Sequence, residues 1–147
     1  MISAETIVIR HNETPLDLSD EVIEWFVLRA LELEEQSGEW VVSVVLVDDP
    51  EMQQLHADFM NIDEPTDVMT FPSDFEDEEQ QGGDIVISVE RAAEQGGENG
   101  LSTEEEVIFL AVHGVLHLCG WDDATPEGRT AMLDRQRQII ETARRQG

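Results

Sequence analysis

The chain has 147 residues, 40% of them hydrophobic, and eight Lys plus Arg against 34 Asp plus Glu, for a net charge of −26. That length predicts one domain over residues 1–147, and no apolar run approaches the roughly 18 residues that a bilayer crossing needs. Every one of the eight cations is arginine, and nucleic-acid binding by a broad basic footprint is excluded at this charge.

In chain order, residues 5–10 (ETIVIR) alternate polar and apolar and predict a first strand. Residues 19–36 follow as a helix, with Val22, Ile23, Phe26, Ala30 and Leu33 at three- and four-residue steps and Gly38 just beyond. Residues 40–47 are β-branched and almost continuously apolar, which predicts a central strand covered on both faces. Pro50 opens a short helix through Met60, and residues 65–72 (PTDVMTFP) are extended between two prolines. Residues 74–79 (DFEDEE) carry five acids in six positions and, with Gln80, Gln81, Gly82 and Gly83, predict a mobile surface loop joining two strands, after which residues 84–89 (DIVISV) form the last strand.

The final third is helical. Ser102 and Glu105 have capping-box spacing, and Gly120 stops the helix they open. Thr125-Pro126 starts another helix that runs to about Arg145. Five of the eight arginines (Arg129, Arg135, Arg137, Arg144 and Arg145) fall here, so a local basic face is expected near the C-terminus. The N-terminus, MISAETIVIRH, lacks a basic region followed by an apolar run, so no export signal is expected and the cytoplasm is the expected location. A single cysteine, Cys119, rules out an internal disulfide framework and reads as a small buried apolar residue. Together these elements predict an α+β fold, a small mixed four-stranded sheet packed with helices.

The chemistry concentrates in residues 113–123, HGVLHLCGWDD. His113 and His117, four residues apart on a helix, lie about 40° apart around its axis and about one turn apart along it. Both imidazoles can therefore reach one ion at about 2.0–2.1 Å. Gly120 permits a reversal that returns Asp123 as a third ligand, with its neighbour Asp122 as the alternative. The pattern H-x3-H-x2-G-x2-D has metzincin spacing with Asp in place of the last His. Three protein ligands leave one position open, the arrangement of a catalytic zinc site. A zinc peptidase would carry Glu after the first His as general base, and here that position is Gly114. No general base is assigned. Two His and one carboxylate also suit Fe(II).

PTDVMTFPSD, GGDIVIS and HGVLHLCGWDD, in that order along the chain, resemble the YbeY-type endoribonucleases, the bacterial rRNA maturation factors. The resemblance implies a zincin-like fold and one Zn2+ per chain at His113, His117 and Asp123. It further implies a single-strand-specific RNA hydrolase in small-subunit rRNA processing and ribosome maturation, with rRNA and the small subunit as partners and neither membrane nor DNA. Two positions depart from the family pattern: Asp123 stands where its third ligand is usually His, and Met60 where it has an arginine. Those departures and the −26 charge leave two alternatives, a catalytically impaired metal-binding ribosome-assembly factor and a metallohydrolase with another substrate. Thr66, Asp67 and Asp84 are minor candidates for orienting a ligand or substrate. His11 and His56 read as structural, and Trp25, Trp40 and Trp121 as core or rim residues, with base stacking a lesser role for Trp121.

Overall fold

A computed structural model describes residues 2–60, 66–73 and 80–146, without the side chains of Met60, Gln80 and Gln146. Residues 74–79 of the expected loop and the side chain of Met60 therefore lie outside the described residues. Four strands, β1 (Ile2–Arg10), β2 (Gly38–Val47), β3 (Val68–Pro72) and β4 (Gln80–Ser88), form one sheet in the order β1-β2-β4-β3. The pairs β1–β2 and β2–β4 run parallel, and β3 runs antiparallel to β4. Among the described residues, five helices accompany the sheet: α1 (Asp20–Leu33), α2 (Asp49–Met60), α3 (Val89–Asn99), α4 (Thr103–Leu118) and α5 (Pro126–Gln146). The mixed four-stranded sheet with helices is the α+β architecture expected.

Three local expectations are corrected. β2 is central but unevenly covered. Trp40, Val42, Val44 and Leu46 are buried on one face, whereas Val41, Ser43 and Val45 are half-buried on the other. α1 stops at Leu33, because Glu35 adopts a left-handed conformation at φ 57° and the chain turns there. The last strand begins at Gln80, so residues 80–83 pair with β2 and do not form the expected loop; it ends at Ser88, and Val89 opens α3, which the sequence pattern does not announce. Gly96 and Gly97 in its last turns disguise it, since each glycine costs helix propensity. The caps supply what the interior lacks: Ser88 Oγ accepts from Arg91 N at 3.1 Å, and Gly100 closes the end at φ 73°.

α4 is the hub. It packs against α1, α3, α5, β3 and β4, and a helix so surrounded is expected to be apolar over most of its circumference. Val107, Leu110, Ala111, Val112, Val115 and Leu116 are all buried, each large side chain contributing about 1.5–3 kcal/mol. Its start is the capping box expected: Ser102 Oγ accepts from Glu105 N at 3.1 Å, and Ser102 N donates to Glu105 Oε1 at 3.1 Å. Gly114 faces the sheet, where a Cβ would stand 2.6 Å from Ile85 Cγ2. The absent side chain lets α4 lie directly on β4, which fixes the height of the flanking histidines above the sheet.

Candidate metal centre

His113 and His117 project from α4 into a cavity of about 480 Å³, half-buried, with Asp123 beside them. The reversal that returns Asp123 is a Schellman ending: Trp121 N donates to Leu116 O at 3.0 Å and Gly120 N to His117 O at 3.0 Å. Gly120 sits at φ 99°, a conformation that side-chain-bearing residues rarely adopt. Asp122 does not enter the site. Its Oδ1 accepts from Ala124 N at 2.9 Å and shapes the turn, leaving Asp123 to face the imidazoles.

His113 Nε2 and His117 Nε2 are 3.1 Å apart, and Asp123 Oδ2 lies 3.4 Å from the first and 3.5 Å from the second. Ligand atoms on a tetrahedral ion with bonds of about 2.0–2.1 Å are roughly 3.3–3.4 Å from one another. The triangle has that size. These three residues could hold a metal ion.

The opposite ring nitrogens explain why the two Nε2 atoms meet. His113 Nδ1 lies 2.9 Å from Gln136 Oε1, and His117 Nδ1 lies 3.1 Å from the carbonyl oxygen of Trp121. Gln136 Nε2 donates to Phe109 O at 3.3 Å, so its Oε1 is the end free to accept. A carbonyl can only accept. Both imidazoles therefore carry their hydrogen on Nδ1 and present a lone pair at Nε2. Two lone pairs at 3.1 Å repel one another unless a cation or proton lies between them, and this outer arrangement is the one metal-ligating histidines use.

Sequence reasoning missed Gln136 and Glu34. Gln136 is fully buried on α5 within the stripe of Met132, Ile139 and Ala143, and a polar residue inside an apolar stripe was the available signal. Glu34 accepts from Trp121 Nε1, and its Oε2 accepts from Arg135 Nε at 2.8 Å, pinning the returning loop to the end of α1. Trp121 thus packs at the rim of the core. Thr66 and Asp67 line the cavity, as does His56, for which the sequence predicts a structural place. Asp84 faces a different cavity beneath α2, and His11 pairs with Glu51 at 3.2 Å. Cys119 is half-buried at the end of α4, where burial pushes its thiol up to about 12 and keeps it neutral.

Residues 7–144 match the family model for endoribonuclease YbeY. The chain belongs to the endoribonuclease YbeY family. Among YbeY relatives, the protein from Brevibacillus brevis is 38% identical over 96% of this chain and 96% of its own. That from Acetivibrio thermocellus is 35% identical over 92% of this chain and 95% of its own. Both carry the name endoribonuclease YbeY. A solution structure of a protein from Thermotoga maritima aligns with a TM-score of 0.64 at 26% identity, covering 95% of this chain and 89% of that one. Membership in this family makes an endoribonuclease role, with RNA as substrate, the supported coarse function. Among the described residues, no helix is long and apolar enough to cross a membrane.

Proposed function

We propose that this protein is a zinc-dependent, single-strand-specific endoribonuclease, one domain acting in small-subunit rRNA processing and ribosome maturation in the cytoplasm. The observation that carries the metal part is the triangle of His113 Nε2, His117 Nε2 and Asp123 Oδ2, with edges of 3.1, 3.4 and 3.5 Å. The RNA part rests on the family. Zinc, when bound, supplies Lewis acidity toward a phosphoryl oxygen and acidifies water.

The chain's own residues do the rest. Gln136 Oε1 and Trp121 O hold the two Nδ1 hydrogens and so keep both imidazoles in the tautomer that ligates. The carboxylate of Asp123 offsets one positive charge of the ion, where an imidazole would offset none. The cavity in front of the trio, lined by His56, Thr66, Asp67, Met69 and Thr70, is open to solvent and large enough for a phosphodiester and its flanking sugars.

The −26 charge favours one other reading, a metal-binding ribosome-assembly factor without turnover. Cleavage of single-stranded RNA, with and without a chelator and over a salt series, separates the two. Chelator-sensitive cleavage is the expected result. Metal content near one zinc with no cleavage at any salt concentration would favour the assembly factor, and iron in place of zinc would move the site to another chemistry.

A further inference from the structure

Six of the eight arginines are answered by a carboxylate: Arg10 by Asp20, Arg29 by Glu32, Arg91 by Asp49, Arg135 by Glu34, Arg137 by Asp134 and Arg144 by Glu105. Among the described residues, Arg129 and Arg145 make no such pair. The basic face expected near the C-terminus is therefore largely spent on internal acids. In a chain with 34 carboxylates, an arginine left without one is the exception.

Arg129 stands in the first turns of α5, exposed, with its backbone N donating to Thr125 O at 2.9 Å. Its side chain lines a second cavity, of about 280 Å³. That cavity shares Asp67, Val68, His113 and Asp123 with the larger one, so the two meet at the ligand trio. His56 lines the larger cavity and Arg129 the second. Of the three acids in the second cavity, Asp123 already faces the two imidazoles. Glu106 is buried and held toward its neutral form by that burial. Asp67 accepts from the backbone N of Val68 at 2.8 Å.

We propose that Arg129 is a substrate-binding residue whose guanidinium takes the phosphate of the RNA strand lying at the His113–His117–Asp123 trio. The inference rests on the ribonuclease reading above and names the residue that grips the strand. A planar fork of donors matches two phosphate oxygens at once, which an ammonium cannot do. No ion pair has to be broken first, and the one local positive charge in a very acidic chain is placed where a polyanion must approach.

The test uses the full zinc-loaded chain as wild type, Arg129→Ala, Arg129→Lys and Arg145→Ala. Binding of a fluorescent 2′-O-methyl single-stranded oligonucleotide, cleavage of the matching RNA and zinc content are measured over a salt series. Arg145 is the control for bulk charge, since it lies on the same helix about 24 Å further along. Arg129→Ala should weaken binding about 10-fold or more at low salt and lower the salt slope by about 0.7. Its zinc content should stay at the wild-type level. Arg129→Lys should recover only part of the loss, and Arg145→Ala should stay within about twofold of wild type. Wild-type affinity and slope in Arg129→Ala, equal losses in Arg129→Ala and Arg145→Ala, or zinc lost from Arg129→Ala would each overturn the inference. A zinc-loaded wild type that neither binds nor cleaves RNA overturns the ribonuclease reading itself, and the inference falls with it.

Discussion

Gln136 Oε1 sits 2.9 Å from His113 Nδ1, joining α5 to α4 across 23 residues of sequence and fixing which nitrogen of His113 faces the cavity. The contact is fully buried at Gln136, so no water can take over the acceptor role. Gln136→Leu keeps most of the volume and leaves the Nδ1 hydrogen unsatisfied. Zinc affinity should fall about 10- to 100-fold, read by competition with a chromophoric chelator, while the circular dichroism spectrum stays native. Unchanged affinity would mean that the tautomer is held by something other than Gln136.

The pair Asp122 and Asp123 gives a sharper contrast. Asp122 is engaged with Ala124 N, and Asp123 with the imidazoles. Asp122→Ala should retain zinc and lose only the turn's hydrogen bond, about 0.5–1.5 kcal/mol of stability. Asp123→Ala should bind zinc far more weakly, and Asp123→His should restore binding through an imidazole. The reverse outcome, zinc lost with Asp122→Ala and kept with Asp123→Ala, would exchange their roles.

Glu106 supplies a pH signature. It is 4% exposed on α4, and burial together with the charge of Asp67 raises its carboxyl above the ordinary 4.5. The folded state therefore holds this proton more tightly than the unfolded state. Stability falls as pH rises from the ordinary glutamate range through the folded value, and the loss persists above it. Glu106→Gln carries no such loss. Its melting temperature should exceed that of wild type at about pH 8 and converge with it near pH 4. A difference independent of pH would assign the effect to packing.

The grouping of His113, His117 and Asp123 was legible in the sequence because its geometry is local. A four-residue helical step sets the histidines, and one glycine at positive φ sets the return of Asp123. What lay outside local reach was missed or left open. Gln136 depends on how α5 docks, and Glu34 on the meeting of α1 with the loop at Trp121. Whether Asp122 or Asp123 faces the two imidazoles turns on which carboxylate the turn itself consumes, a question of tertiary geometry. α3 was hidden for a different reason: two interior glycines suppress its propensity, and caps at both ends restore it. Arg129 was visible only as one of five late arginines. Its distinction appears once the others are seen to be paired.

The most direct test of the metal centre is the zinc content of purified wild type and His117→Ala, each stripped and reloaded, with RNA cleavage followed in the same samples. About one zinc per chain and chelator-sensitive cleavage in wild type, with both lost in His117→Ala while the fold persists, is the expected result. Wild type that takes up no zinc after reloading, or His117→Ala that holds zinc and cleaves as wild type does, would contradict it.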